Sequence, residues 1–331
     1  MSLTVSPSDP RLTWAGAVSL EVTDEWVQPW RIPHEDRALF FETLQERAAA
    51  PAGVRIALVS DTRSIAGTFL PHPGLTSLDL CCDGELVGSQ ALAGKHTFAF
   101  EGLPAGEKRI ELWLPQMGRF RLKALTIDDG VSLAPFEDSR PKWVTYGSSI
   151  SHCGAAESPV YTWPAVVARG HDLNLTCLGF GGNCHLEPMV ARTIRDLPAD
   201  FLSMCVGINI YGARSLGPRT FRSAVIGFVQ TVREKHPETP YVVMSPIYSP
   251  TRETTPNAVD LTLEIMRQEV AAAVDLLRDH GDAHVHYVDG LSVFGPEQSD
   301  LLPDDLHPDA QGYKVLGRHF LERVARKYFV A

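Results

Sequence analysis

The 331-residue sequence lacks the features that mark several large classes of protein. It has no long block of one charge sign, and its formal net charge is −10. That charge argues against a nucleic-acid backbone or an anionic membrane as the main partner. No uninterrupted apolar segment is long enough to span a bilayer. The N-terminal stretch MSLTVSPSDPRLTW has no basic segment followed by an apolar one, so no signal peptide is evident and we expect a cytoplasmic location.

Cysteines are few, and their spacing is unlike that of a metal site. The six are Cys81, Cys82, Cys153, Cys177, Cys184 and Cys205. None forms a CxxC pair, and they do not combine with histidines at zinc-ligand spacing. The sequence therefore predicts reduced, mostly buried thiols, with no metal and no cofactor.

The composition is that of a globular protein with a sizeable core. Hydrophobic residues make up 44% of the chain and charged residues 21%. The length suits one large domain or two ordinary ones, and the oligomeric state stays open.

Residues 1–135 have the alternating pattern of β-strands with one buried face. In RIELWLP, residues 109–115, the apolar Ile110, Leu112 and Leu114 occupy every second position. Asp83-Gly84 lies between two such runs and predicts a hairpin turn. We therefore predict an antiparallel β-sandwich of jelly-roll type for this half, interrupted by a helical stretch at 34–49.

The pattern changes beyond a predicted linker at 128–142, and we predict a second domain over 136–331. Helical stretches there alternate with short apolar runs, which predicts a parallel sheet with helices on both faces. The predicted strands are 143–146, 174–179, 200–206, 240–245 and 284–288, and the main helices are 218–235, 261–280 and 309–328. Active sites of such sheets lie at the carboxyl ends of the strands.

The stretch WVTYGSSISHCG, residues 143–154, ends such a strand and offers Ser148, Ser149 and Ser151 as nucleophiles. A serine hydroxyl needs a base that takes its proton and donors that stabilise the oxyanion. His307, directly before the last predicted helix, is the candidate base. Asp304 and Asp305 both lie close enough in sequence to orient its ring, and spacing alone leaves the choice open.

Two other strand ends offer oxyanion donors. The paired Gly181-Gly182 in LGFGGNCH leaves backbone N–H groups open to close approach. Asn209 follows the strand 200–206 with a side-chain amide. Four strand ends together therefore predict one acyl-transfer site, although each segment alone is typical of an ordinary turn.

These four segments, in this order, resemble the SGNH hydrolases, also called the GDSL esterase/lipase family. YGSSIS is similar to its first block, which implies that Ser149 is the nucleophile. FGGN and GINIYG imply an oxyanion hole made by Ser149, Gly182 and Asn209. DDLH is similar to the D-x-x-H block, which implies Asp304 and His307 as the other catalytic residues.

The resemblance implies a flavodoxin-like sheet for the second half, preceded by a jelly-roll domain as in some two-domain members. The sequence departs from the family pattern at Ser148 and Ile210, where aspartates are usual. The change at Ile210 leaves the implied role of Asn209 unchanged but alters the hydrogen bonds expected around it. The chain also lacks the G-x-S-x-G pattern around Ser149, since residue 151 is serine, which disfavours an α/β-hydrolase elbow.

The resemblance implies a serine esterase that cleaves short acyl groups, such as an O-acetyl, through an acyl-enzyme. The alternative is an intracellular acyltransferase that uses the same site to move an acyl group from acyl-CoA to a natural-product hydroxyl. A binding module with an inactive catalytic fold is a third reading. The expected partner is a small-molecule ester, or an acyl donor and acceptor. Tyr211 and His185, on loops beside the predicted site, are weaker candidates for substrate contact.

Overall fold

A computed structural model describes residues 2–330, and its first half is built from antiparallel strands. The twelve strands described before residue 136 are β1 Ser2–Val5, β2 Thr13–Ala15, β3 Ser19–Val22, β4 Val27–Trp30, β5 Arg55–Ser60, β6 Ser64–Phe69, β7 Ser77–Cys82, β8 Glu85–Ala91, β9 Thr97–Glu101, β10 Lys108–Trp113, β11 Leu122–Asp128 and β12 Ala134–Pro135. One sheet has the order β3-β4-β11-β6-β9, with β1 also paired to β11. The other has the order β12-β5-β10-β7-β8, with β2 paired to β5. The predicted antiparallel sandwich is confirmed.

In this half, the predicted hairpin turn is present, and the predicted helical stretch differs in length. Asp83 and Gly84 join β7 to β8 with φ angles of 49° and 89°, the left-handed conformations that a two-residue hairpin turn requires. The helical stretch predicted over 34–49 is shorter in the structure. It consists of a 3₁₀ turn, Arg37–Leu39, and the helix α1, Glu42–Ala48.

Strand β10 differs from the prediction of one buried face. Ile110 and Leu112 enter the core between the two sheets, as expected. The opposite face is also buried, because it packs on the second half of the chain. There Glu111 accepts a hydrogen bond from Arg140 at 2.8 Å, and Trp113 belongs to the hydrophobic cluster around the parallel sheet.

The second half is a five-stranded parallel sheet covered by helices. Its strands are β13 Lys142–Gly147, β14 Asn174–Gly179, β15 Phe201–Cys205, β16 Tyr241–Met244 and β17 Val285–Val288. Its helices are α2 Ser149–His152, α3 Trp163–Gly170, α4 Pro188–Asp196, α5 Ile208–Ala213, α6 Pro218–Arg233, α7 Leu263–Asp279, α8 Gly290–Val293, α9 Ala310–Phe320 and α10 Arg326–Tyr328. The strand order is β14-β13-β15-β16-β17, which is the flavodoxin-like order and confirms the predicted fold class.

Short helical turns complete this half. Single 3₁₀ segments lie at Pro159–Tyr161, Pro250–Arg252 and Pro296–Leu301. The last predicted helix contains one π-helical turn, Leu321–Ala325, between α9 and α10. Its apolar face is buried as the helical spacing predicts, through Tyr313, Leu316, Phe320 and Val324.

The two halves meet through a shared hydrophobic cluster and buried arginines. The cluster around the parallel sheet includes Trp30, Leu44 and Trp113 from the first half. Arg55, 1% exposed, donates to the carbonyl of Leu175 at the start of β14. The predicted boundary at residue 135 stays a prediction, because β12 lies in the expected linker and pairs with β5 of the sandwich.

The six cysteines are all buried and unpaired, as predicted. In residues 2–330, every helix is too short or too polar to cross a bilayer.

Candidate active site

The carboxyl ends of three neighbouring strands are in register and bring distant segments together. Gly147, the last residue of β13, pairs with Gly179 of β14 and with Cys205 of β15. Ser149 and Asn209 follow the two strands at which the connections of a flavodoxin-like sheet change sides. Such a point leaves a crevice beyond the sheet, where ligands of this fold class bind.

Ser149 is the first residue of α2, and the serine before it has a structural role. Ser148 is 2% exposed, and its Oγ accepts the Ile150 N–H at 3.2 Å, so it caps the short helix. The helix lies directly on β14. A Cβ on Gly179 would come within 2.4 Å of the Ser151 carbonyl carbon, so only glycine allows this approach.

The hydroxyl, imidazole and carboxylate form a continuous hydrogen-bonded chain. Ser149 Oγ lies 2.8 Å from His307 Nε2, and His307 Nδ1 lies 2.6 Å from Asp304 Oδ2. The other oxygen of Asp304 accepts the backbone N–H of His307 at 2.6 Å. Because the ring nitrogen near Asp304 donates to the carboxylate, Nε2 of the neutral ring faces Ser149 as an acceptor.

The geometry distinguishes the two neighbouring aspartates. Asp304 has both oxygens on His307, whereas Asp305 adopts a left-handed φ of 58°. Asp305 is held instead through its carbonyl oxygen, which accepts a hydrogen bond from Ser249 Oγ at 2.6 Å. Sequence spacing did not decide which aspartate orients His307, and in the structure Asp304 is the one in contact with the imidazole.

Asp304 and His307 are partly open to solvent, and their side chains are 54% and 34% exposed. Burial on its own would raise the pKa of Asp304. The hydrogen bonds from the ring and the backbone N–H of His307 outweigh it, so the pKa lies below the ordinary value of 3.8. The carboxylate is therefore ionised at neutral pH.

The segment FGGN forms a tight turn beside Ser149. The Asn183 N–H donates to the Phe180 carbonyl at 2.9 Å, and Gly182, the third residue, has a φ of 74°. A positive φ at this position is typical of type II turns and favours glycine. The predicted oxyanion glycine therefore lies at a turn position where a side chain would be strained.

Asn209 is oriented by a backbone group, despite the change at its neighbour. Its Oδ1 accepts the Cys184 N–H at 3.0 Å, which leaves the Nδ2 amino group as the free donor. Ile210, in place of the usual aspartate, is fully buried in the core. The hydrogen bond from Cys184 thus orients the amide without help from residue 210.

These groups line one cavity of about 640 Å³, a size typical of small-molecule sites. Five of the predicted residues line it together, namely Ser149, Gly182, Asn209, Asp304 and His307. Apolar side chains such as Leu306 and Pro308 form much of the remaining wall. The arrangement can activate a hydroxyl and stabilise an oxyanion at the same point.

His185 and Tyr211 are not among the residues that line this cavity. His185 Nε2 lies 3.0 Å from the carbonyl oxygen of Gly182. The Tyr211 hydroxyl donates to the Thr255 carbonyl at 3.0 Å, which ties it to the loop 248–260. Their contact with substrate stays a prediction that the structure does not support directly.

Sequence reasoning missed two cavity residues from the first half, Arg47 and Met117. Arg47 belongs to α1, and Met117 lies between β10 and β11. Neither belongs to a motif, and both lie outside every segment that the sequence assigned to the site. Only the packing of the sandwich against α2 and the FGGN turn brings them there.

A buried polar network underlies the turn. Arg31, fully buried, donates to the carbonyls of Ala50 in the first half and Gly179 at the end of β14, both at 2.6 Å. His152 Nε2 lies 2.7 Å from the Gln116 carbonyl, and Nδ1 accepts the Gly181 N–H at 3.4 Å. Burial, reinforced by the nearby Arg31 charge, lowers the pKa of His152 well below its usual value, so this imidazole is neutral.

Within residues 2–330, no three His, Cys, Asp or Glu side chains cluster closely enough to hold a metal ion.

Comparisons with known proteins show the family and the two-domain fold of the chain. A family model described as the GDSL-like Lipase/Acylhydrolase family matches residues 141–324, and one described as the SsfX3 N-terminal domain matches residues 12–123. The structure of the salicylyl-acyltransferase SsfX3, from a tetracycline biosynthetic pathway, is similar at 40% identity and a TM-score of 0.91. That similarity covers 98% of this chain and 97% of the other.

More distant structures share the fold alone. A family two carbohydrate esterase from Clostridium thermocellum has a TM-score of 0.68 at 15% identity, over 96% of this chain and 98% of that one. Another from Cellvibrio japonicus has a TM-score of 0.68 at 16% identity, over 100% and 99%. No curated protein sequence matches the chain significantly.

Proposed function

Since the chain belongs to the GDSL-like lipase/acylhydrolase family and is an enzyme of this type, we propose that it cleaves carboxylic esters through Ser149. The observation that carries the proposal is the hydrogen-bonded chain from Ser149 through His307 to Asp304 at 2.8 and 2.6 Å. A serine, a histidine and a carboxylate in this order are the groups that acyl transfer through a serine ester requires.

In the first step, Ser149 Oγ attacks the ester carbonyl while His307 Nε2 takes the hydroxyl proton. The carbonyl oxygen becomes an oxyanion, and the N–H groups of Ser149 and Gly182 and the Nδ2 amino group of Asn209 donate to it. Asp304 holds the ring and stabilises the imidazolium that forms. His307 then returns the proton to the leaving alcohol oxygen, and the acyl group stays on Ser149.

In the second step, a hydroxyl compound attacks the acyl-enzyme. His307 takes the proton of the incoming hydroxyl, and the ester bond to Ser149 breaks as the proton returns to Oγ. Water as the nucleophile gives a free acid, and an alcohol gives a new ester. The same residues therefore serve an esterase and an acyltransferase.

The test compares Ser149→Ala with its buried neighbour Ser151→Ala on p-nitrophenyl acetate. We expect Ser149→Ala to lose about 10⁴-fold or more in kcat, because no other hydroxyl meets His307. Ser151→Ala is expected to keep most of the activity. A fluorophosphonate should label wild type and Ser151→Ala at residue 149 and leave Ser149→Ala unlabelled. Turnover by Ser149→Ala at the wild-type rate would exclude it as the nucleophile.

Acyl transfer to a hydroxyl acceptor is the second candidate function. The observation that favours it is the 40% identity, over nearly the full length of both chains, to a salicylyl-acyltransferase. The test is incubation with acyl-CoA thioesters and a panel of polyphenol and polyketide hydroxyl acceptors, followed by mass spectrometry. A new ester whose formation depends on Ser149 would support transfer. Release of free acid alone across the panel would leave hydrolysis as the reaction.

A further inference from the structure

The cavity wall contributed by the sandwich carries a positive charge that the proposed mechanism does not use. Arg47 lines the cavity, and its Nε donates to the carbonyl of Gly181 at 3.3 Å. A Cβ placed on Gly181 would lie 3.6 Å from the Cβ of Ser149 and 3.7 Å from Nε of Arg47. The guanidinium and the nucleophile thus flank the same glycine.

This charge has no carboxylate partner among residues 2–330. In the described part of the chain, no Asp or Glu oxygen lies within 4.0 Å of the Arg47 guanidinium. Asp304 is the one carboxylate among the lining residues, and His307 occupies both of its oxygens. The cavity therefore presents a cation to whatever enters it.

Arg47 is held in place from two directions. Its side chain is tied to Gly181, and its backbone carbonyl accepts a hydrogen bond from Nη2 of Arg31 at 2.5 Å. Arg31 is fully buried, and its close hydrogen-bond partners are carbonyl oxygens, so it adds a second uncompensated charge beneath the turn. Burial lowers the pKa of Arg31 to about 10, which leaves it charged at neutral pH.

We propose that Arg47 binds an anionic group of the substrate, so that the enzyme prefers esters bearing a carboxylate or phosphate over neutral esters of the same shape. A planar guanidinium with free N–H groups suits both anions, since it can donate two parallel hydrogen bonds. The proposal deepens the function proposed above and depends on it for the identity of the substrate. It assigns selectivity to the sandwich half and chemistry to the α/β half.

The test uses pairs of esters that differ mainly in charge. 4-Acetoxybenzoate and its methyl ester place a carboxylate or a neutral group on the leaving phenol, and 4-acetoxyphenyl phosphate replaces the carboxylate by phosphate. Mono-p-nitrophenyl succinate and p-nitrophenyl pentanoate compare charge on the acyl side. The ratio of kcat/KM, charged over neutral, is measured for wild type, Arg47→Gln, Arg47→Lys and the control Arg219→Gln, an exposed arginine of α6 outside the cavity.

We expect Arg47→Gln to lower this ratio about 10- to 100-fold for at least one anion, mainly through KM, because a hydrogen bond to a charged group is lost. Arg47→Lys should recover part of the preference as a point charge. Arg219→Gln should keep the wild-type ratio. The ester pair whose ratio changes shows whether the site prefers a carboxylate or a phosphate. It also shows whether that anion belongs to the acyl part or the alcohol part of the ester. An equal effect of Arg47→Gln on charged and neutral esters in every pair would overturn the proposal.

A binding measurement separates this proposal from the proposed reaction. Titration calorimetry in the Ser149→Ala background compares 4-acetoxybenzoate with its methyl ester, with and without Arg47→Gln. Selective binding of the anion that disappears with Arg47→Gln supports the anion site even if no ester is turned over. Equal binding of both ligands, or binding of neither, contradicts it even if Ser149 proves to be the nucleophile.

Discussion

The two walls of the cavity are built in different ways. On the α/β wall, Ser149, Gly182 and Asn209 follow directly on the ends of adjacent parallel strands, and backbone register sets their positions. On the sandwich wall, Arg47 reaches the site from a short helix that belongs to neither sheet, and one hydrogen bond from its Nε to the Gly181 carbonyl crosses the interface. The reacting groups thus lie on the α/β half, and the Arg47 charge that we propose to select the substrate lies on the sandwich half.

If this division is correct, substitutions on the α/β wall reduce the rate on every ester. Substitutions on the sandwich wall instead change the preference for charged over neutral esters, or the stability of the folded protein.

After Ser149→Ala, the largest loss of activity is expected from substitution of Asp304. Asp304→Asn should lower kcat/KM about 10³-fold, because an amide neither fixes the ring tautomer nor stabilises the imidazolium. The loss should be smaller than for a buried aspartate, since Asp304 is 54% exposed and water shares its task. Asp305→Asn is the matched control, because asparagine tolerates its left-handed φ of 58°, and it should change the rate by less than a factor of three. Equal losses in the two variants would reject the assignment to Asp304.

Asn209→Ala is expected to have the next largest effect, about 10²-fold in kcat with little change in KM, because its amide donates to a charge that forms only in the transition state. The effect should be the same for charged and neutral esters, in contrast to Arg47→Gln. The measurement is steady-state kinetics on the ester pairs, accompanied by the unfolding midpoint of each variant. A folded Asn209→Ala protein with kcat within threefold of wild type would remove Asn209 from the oxyanion hole.

The smallest effect concerns stability at the interface. Because the pKa of His152 is far below its ordinary value of 6.5 in the folded protein, the unfolded chain binds a proton there more readily at pH 5.5. Stability therefore falls as the pH drops below about 6.5. We expect the decrease in melting temperature from pH 7.5 to 5.5 to be smaller in His152→Gln than in wild type. His96→Gln, at an exposed histidine of the sandwich, should keep the full decrease. An unchanged decrease in His152→Gln would show that the neutral imidazole does not set this dependence.

Much of the α/β half could be predicted from local pattern. Its strands alternate with amphipathic helices, so their order and type followed from periodicity, and the parallel sheet then brought four strand ends to one edge. Other features depended on neighbours that periodicity does not reveal. Strand β10 looked half exposed, and its second face is covered by the other half of the chain.

By itself, the sequence determined which segments carry the reacting groups, because a strand followed by glycine, serine or asparagine is a local property of the chain. Local geometry that spacing left open decided two points, the Ser148 cap of α2 and the contact of Asp304 with His307. The tertiary structure decided that Arg47 and Met117 of the first half line the same cavity as Ser149, and that buried Arg31 joins the first half to the end of β14. Those outcomes depend on side-chain packing and hydrogen bonds between residues far apart in sequence. Such contacts form only once the two halves have docked, so no short stretch of sequence encodes them.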